Sequence, residues 1–391
     1  KETVVYYDAN SKNLLYLNDK NRILECIRYF KYTMISDELP LSQTVPSESL
    51  KTKSEILFSV FFVACLIKQS KEYINEFYEK KGFSIGYEDC ALTMGVPIDN
   101  YQEENRKIYD KVLFTAEELS KRLIDYSYNL ADLDKYYQRW ETEPLPPTFP
   151  INTLPELYAE ALAFLQDRNV PTGIYCLIDI GGGTVDYAVF LKTRQDENDK
   201  YSIVSKSIRP IGIEIVVNGI AKSDKLQICR EYLKNFNPIG LELNGERESE
   251  FKRDLQESFS TIAVEVKEKN EARDILLGQK GVLSIIICGG GADHKWYENH
   301  ILDCESRLRN ALASDPYKLE TRATEVLIPG AESINHRLLI ARQLAQRYDD
   351  IPPLDGFPWD FEQKVIPTLN VRPNSYETGR DIQIDKYGSS V

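Results

Sequence analysis

The chain has 391 residues, a formal net charge of −13, 42% hydrophobic residues and 28% charged residues. At about 100–200 residues per domain, that is room for two to four core-forming units. The acidic balance excludes a broad nucleic-acid or anionic-membrane surface while leaving room for a local basic pocket. The nearest approach to a membrane span, ILFSVFFVACLI at 56–67, is 12 residues long and reads as a buried helix.

In chain order, residues 4–17 read as a hairpin around DANSKN and residues 23–33 as a short helix. Pro40 and Pro46 bracket a polar loop. A long helix over 54–80 ends at Gly82, with Lys80 and Lys81 in its last turn. Residues 89–96 read as a buried strand stopped by Pro97, and 103–140 as helical. The segment ETEPLPPTFP at 141–150 holds four prolines and reads as a linker. A helix at 154–167 precedes a strand at 174–180, a glycine run, a strand at 187–190, the charged turn 195–200 and the strand YSIVSKSI. Residues 213–235 and 247–270 read as helices around a polar insert. A strand–glycine–helix unit spans 282–302, and a strand at 324–328 with a helix at 333–347 closes the core. Beyond 350 lies a polar tail that contains FPWDF.

Seven cysteines, at 26, 65, 90, 176, 229, 288 and 304, show no C-x-x-C spacing, and most sit in apolar runs. Free buried thiols in a reducing cytoplasm explain this pattern. His294, His300 and His336 lack metal-ligand spacing and read as non-ligands. Tyr126, Tyr128, Tyr136, Tyr137 and Trp140 cluster in one stretch and read first as helix packing, with a partner surface as the alternative.

The chemistry concentrates in CLIDIGGGTVDYAV (176–189). Glycines at a strand end let a ligand approach the backbone and point successive N–H groups at it. Asp179 and Asp186 flank the run. They repel bare phosphate, but they can hold a hydrated Mg²⁺ beside it or orient a water. Thr184 can donate a hydroxyl to a phosphate oxygen. The string D-x-G-G-G-T-x-D therefore reads as a nucleotide-phosphate cradle, against the plainer reading of a glycine-rich turn with two solvated acids. A second run, Gly289, Gly290 and Gly291 before Ala292, ends the apolar strand IIIC and is expected to open a helix whose N-terminus faces the ligand. Neither a Walker loop nor a Rossmann fingerprint is present.

IDIGGGTVDYAVF resembles the second phosphate motif of the actin-like ATPase superfamily, in the form found in the seventy-kilodalton heat-shock chaperones (DnaK-like), and IIICGGGA resembles their adenosine motif. Weaker likenesses follow in family order. TVVYY is like an early strand, FKYTM like the segment carrying a phosphate-contacting lysine, and ALTMGVPIDN like the strand V-x-x-V-P-A. ELYAEALAF is like the helix E-P-T-A-A-A-L-A-Y, IRPIGIEIVVNGIA like the segment L-G-G-E-D-F-D with one glycine, Gly212, retained, and NHRLLIARQLA like the closing helix.

The resemblance implies an α/β, two-lobed actin/heat-shock-chaperone ATPase fold: duplicated ribonuclease-H-like lobes, each a mixed sheet with flanking helices. Lobe I would span 1–172, lobe II with a reduced adenine-clamping part 173–350, and a tail 351–391. ATP or ADP with Mg²⁺ would lie between the lobes, held by Gly181, Gly182, Gly183, Thr184, Asp186, Gly212, Gly289, Gly290, Gly291 and Ala292. Asp179 would contact the metal through water, Glu156 would orient the attacking water and Lys31 would stabilise the transferred phosphoryl group.

The family's first phosphate motif, D-x-G-T-[TS], would stand upstream of TVVYY and is not in the chain. A longer product would carry it; were Lys1 a native start, hydrolysis would be in doubt. The stretch after residue 350 is too short for a peptide-binding domain, so none is expected there. The expectation is thus a cytoplasmic, chaperone-like ATPase switch acting through a protein partner, with no nucleic acid and no membrane. An actin-like filament former and a nucleotide-binding scaffold without turnover are the alternatives, and a sugar kinase is least favoured.

Overall fold

The computed structural model describes residues 4–8, 10–16, 25–28, 50–85, 91–97, 103–142, 151–166, 170–195, 198–237, 241–268, 282–301, 303, 318–323, 343–345, 354–355 and 371–373. The N-terminal hairpin is as expected. Strands β1 (Val4–Asp8) and β2 (Asn13–Leu15) pair antiparallel, Tyr6 opposite Leu15. Asp8 shapes the turn, its carboxylate accepting from the Asn10 N–H at 3.0 Å and the Ser11 hydroxyl at 2.8 Å. Within the expected helix at 23–33, the structure instead has strand β3 (Glu25–Arg28), antiparallel to β1. The ladder to β1 overrides a short segment's helical pattern.

The long helix α1 (Ser54–Glu79) forms as read and buries Leu57, Phe58, Val60, Phe61, Phe62, Ala64 and Cys65. Strands β4 (Phe83–Ile85) and β5 (Leu92–Val96) follow. The expected continuous helix at 103–140 is two helices, α2 (Glu103–Ser120) and α3 (Leu130–Thr142), with strand β6 (Ser127–Asn129) between them. The break has a local cause. Tyr126 adopts φ 51, and the Asn129 side chain accepts from the N–H groups of Ala131 at 3.1 Å and Asp132 at 3.3 Å, capping a new helix. The sheet order is β3-β1-β2-β6. Helices α1 and α2 are tied by the buried pair Lys71–Glu117 at 2.6 Å. The aromatic cluster is packing: Tyr136 and Tyr137 are buried in this core, with Tyr126, Tyr128 and Trp140 against it. Strand β7 (Ile151–Pro155), which the sequence did not suggest, pairs parallel with β5, so that Val96 faces Pro155.

Helix α4 (Glu156–Leu165) follows β7 without a loop. Then come β8 (Gly173–Ile180), β9 (Val185–Gln195), β10 (Asn198–Arg209), α5 (Ile213–Ile220), α6 (Leu226–Asn235), α7 (Gly245–Glu268), β11 (Val282–Cys288), a helix over 295–301, β12 (Lys318–Ala323) and β13 (Leu354–Asp355). The last, β14 (Val371–Pro373), pairs with β4. The expected strand at 324–328 lies outside the described residues, and the strand beside β11 is β12 instead.

The six-stranded sheet has the order β12-β11-β8-β9-β10-β13. β8, β9 and β10 form an antiparallel meander; β11 adds parallel to β8 and β12 parallel to β11. This is the ribonuclease-H-like strand order expected of one lobe, a mixed α/β layer covered by helices on both faces. The two-residue strand period sorts the faces. Ile174, Cys176, Ile178 and Ile180 of β8 meet Val216, Val217 and Ile220 of α5 and Phe251 and Leu255 of α7. Tyr175 and Leu177 meet Leu157, Leu162 and Phe164 of α4 on the other face. Lys192 of β9 is fully buried and anchors the C-terminal end of α4, donating to Leu165 O at 2.5 Å and Val170 O at 3.0 Å and pairing with Asp199 at 3.0 Å. Among the described residues, no helix is long and apolar enough to cross a membrane, and Cys65, Cys176, Cys229 and Cys288 are free and buried, as expected.

Candidate functional site

The glycine run joins β8 to β9, and its backbone is pinned from one side. Gly181 O accepts from the Ile213 N–H at 3.1 Å, Gly182 O from Glu214 at 2.8 Å and Gly183 O from Gly212 at 3.2 Å. Three successive carbonyls thus point at the N-terminus of α5. In a trans peptide the C=O and the next N–H point in opposite directions. Anchoring these carbonyls therefore turns the N–H groups of Gly182, Gly183 and Thr184 away from α5, as a row. Such a row is an anion-binding concavity.

Close packing needs the glycines. A Cβ at Gly212 would lie 2.5 Å from Gly183 C and 2.5 Å from Thr184 N. Gly289, at φ +81, lies so close to Asp179 that a Cβ would run into its carboxylate. Gly182 differs. It is exposed, and the nearest atom to a Cβ there is Glu214 Cγ, at 3.9 Å.

Asp179 and Asp186 stand directly opposite each other at the ends of β8 and β9. Strand alternation puts both on the α4 face. Glu156 is the first residue of α4, where an acid suits the helix dipole. Its side chain lies across Gly95 of β5: a Cβ there would be 2.5 Å from Glu156 Cγ and 2.9 Å from Oε1. One turn on, Glu160 is fully buried beneath the same strand ends. Burial pushes its carboxyl well above the usual range, and Asp179, Glu156 and Asp186 add to the push. The Cys288 thiol lies close enough to ease this slightly, yet its proton goes to Ile178 O at 3.3 Å. The surroundings of Glu160 accordingly favour its protonated form. Glu156, Glu160, Asp179 and Asp186 gather where α4 meets the glycine run.

The structure thus brings Glu156, Asp179, Asp186, Gly181–Gly183, Thr184, Gly212 and Gly289–Gly291 to one end of the sheet. Lys31 lies outside the described residues. The expectation for the second glycine run needs correction. Gly291 donates to Ile180 O at 2.8 Å and Ala292 to Gly289 O at 3.2 Å, and the helix starts only at 295. These residues, with Gly290 between them, form a turn packed on β8 rather than an open helix N-terminus. Among the described residues no three His, Cys, Asp or Glu side chains converge as direct ligands of one metal ion would. Gly95, Glu160 and Glu214 escaped the sequence reading. An acid inside the apolar run AEALAF, four residues after Glu156, was the available signal for Glu160.

No family model and no curated protein matches the chain. Several solved structures align with it. MreB5 of Spiroplasma citri bound to ADP aligns at 15% identity over 87% of this chain and 88% of its own, with a TM-score of 0.41. Ta0583, an archaeal actin homologue, aligns at 15% identity over 50% of this chain and 55% of its own, with a TM-score of 0.29. A non-polymerisable quadruple mutant of pCBH ParM aligns at 12% identity over 65% and 66%, with a TM-score of 0.34.

Proposed function

We propose that the chain binds a nucleoside di- or triphosphate at the Gly181–Thr184 loop and acts as an ATPase of the actin-like kind. One observation carries the reading: three carbonyls anchored on α5 aim three consecutive N–H groups outward beside Asp179 and Asp186. Phosphate oxygens take those N–H groups, and the Thr184 hydroxyl adds a donor. Mg²⁺, when bound, supplies charge neutralisation between phosphates. Asp179 would reach it through water.

Glu156 is the residue proposed to orient the attacking water. It starts a rigid helix held at its far end by Lys192, and Gly95 leaves room for its carboxylate. Lys31 keeps its proposed role in stabilising the transferred phosphoryl group on the strength of the sequence resemblance alone. The division into lobes at 1–172 and 173–350, with a tail at 351–391, is proposed on the same ground, and a cytoplasmic location on the free, buried cysteines.

What the nucleotide drives has two readings. The triple glycine favours a chaperone-like switch working through a protein partner. The strand order suits an actin-like filament former equally well. Phosphate release from ATP, measured for the chain and for Glu156→Gln, tests the ATPase. The reading predicts Mg²⁺-dependent turnover that the variant loses; equal rates in both would remove Glu156 from the mechanism. Nucleotide-dependent sedimentation distinguishes the two uses, because only a filament former pellets with ATP.

A further inference from the structure

The proposed cradle is crowded with acids, yet it must attract a polyanion. Asp179, Asp186 and Glu156 sit on the α4 side. On the α5 side, the Glu214 backbone N–H is tied to Gly182 O at 2.8 Å, and its Cγ comes within 3.9 Å of a Gly182 Cβ position. A charged carboxylate thus rides over the most exposed glycine of the loop. Its partner is Arg230 of α6, bound in a two-point fork: Nε to Oε1 at 3.2 Å and Nη2 to Oε2 at 2.7 Å. The pair is half in water, with side-chain exposures of 39% for Arg230 and 28% for Glu214.

We infer that Arg230 is a phosphate-recognition residue of this site, parked on Glu214 until a nucleotide's terminal phosphoryl group draws it to the glycine loop. The inference rests on the nucleotide reading above and deepens it. A planar guanidinium matches phosphate as well as it matches carboxylate, and a phosphate dianion outcompetes a single carboxylate charge. An ion pair open to water is readily exchanged. The loop N–H groups face away from α5 and would bind the part of the phosphate chain that lies on them, and Arg230 would reach that chain over Gly182 from the α5 side. Its contribution therefore belongs to the phosphates that distinguish ADP and ATP from AMP. In this arrangement Glu214 does two jobs: its backbone pins Gly182, and its side chain keeps Arg230 within reach.

Binding of ATP, ADP and AMP to the full chain, to Arg230→Ala and to Glu214→Gln tests this. Both substitutions fall on a half-exposed pair, and thermal unfolding checks that the variants are folded. Arg230→Ala should weaken ATP and ADP roughly ten- to a hundredfold, the range for a charge-assisted hydrogen bond, and leave AMP within about twofold. Glu214→Gln keeps the backbone contact, weakens the hold on Arg230 and should tighten ADP and ATP several-fold. Equal losses for all three nucleotides, no loss with Arg230→Ala, or weaker ADP binding by Glu214→Gln would each overturn the inference while leaving the nucleotide reading intact. If the unaltered chain binds none of the three, both fall together.

Discussion

The Glu156 side chain lies across Gly95, in the space where any other residue would carry its Cβ: that atom would be 2.5 Å from Glu156 Cγ. A strand from one sheet and the first residue of a helix packed on another thus share one volume. Gly95→Ala should push the carboxylate aside. Because the displaced atoms belong to a flexible, half-buried side chain, stability should change by no more than about 1 kcal/mol. ATP turnover should fall at least about tenfold while nucleotide affinity stays within about threefold, the pattern of a lost transition-state contact. Phosphate release and equilibrium binding on the same preparation check this.

Gly212→Ala should behave differently. Its Cβ meets backbone atoms of Gly183 and Thr184 at 2.5 Å, and neither can rotate away. The expected loss is about 1–3 kcal/mol of stability together with weaker nucleotide binding, since the whole loop must shift. Denaturant unfolding with a parallel binding titration measures both.

Removing the buried cation at the far end of α4 should be worse for the fold. Lys192→Ala strips Val170 O of a donor, leaves Leu165 O to the Tyr201 hydroxyl, and takes from Asp199 one of its two cationic partners. The expected cost is about 3 kcal/mol. Lys192→Met, which keeps the packing but not the charge, should recover only part of it. Chemical denaturation of both variants gives the comparison.

Two buried groups set opposite pH dependences. Burial raises the Glu160 carboxyl, so the folded chain keeps its proton to higher pH than the unfolded chain, which releases it above 4.5. Its contribution to stability is therefore complete below 4.5 and is lost as pH rises, by about 1.4 kcal/mol per unit at most. His300, buried against Trp296, is held neutral, its pKa pushed down to about 4 from 6.5, first by burial. Its contribution is complete above 6.5 and is lost as pH falls towards 4. From 4.5 to 6.5 the two oppose each other, so stability should vary little through these groups. Above 6.5 only the Glu160 decline remains. Glu160→Gln should abolish that decline and leave stability rising with pH between 4.5 and 6.5; His300→Gln should leave it falling there. Thermal unfolding across pH 4.5–8 in the absence of nucleotide reads all three chains.

The elements that could be read in advance were those with a single dominant pattern. The apolar run at 174–180 and the glycine run marked the β8–β9 corner, and the apolar face of 54–80 marked α1. Where pairing decided, the pattern misled. β3 has helical spacing but joins β1 through the ladder, and β7 is hidden among prolines until β5 pairs with it. The site divides the same way. Asp179, Asp186 and the glycines announce themselves by type and spacing. Gly95 matters only because Glu156 crosses it, and Glu160 only because α4 lies on the sheet; neither fact is local in sequence. The second glycine run differs from its reading for a related reason: the helix starts only at 295, and the glycines let the chain fold back against Ile180.

The most direct test of the central claim uses Gly182, because a Cβ there makes only an ordinary contact with Glu214 Cγ at 3.9 Å, so the fold tolerates a side chain that would crowd a phosphate on the loop. Calorimetric titration of ATP and ADP, with and without Mg²⁺, into the unaltered chain and into Gly182→Val should show binding that Mg²⁺ strengthens and the variant loses, with an unfolding temperature changed by no more than a few degrees. Undiminished binding by Gly182→Val, or no binding by the unaltered chain, would contradict the assignment of this loop as a phosphate cradle.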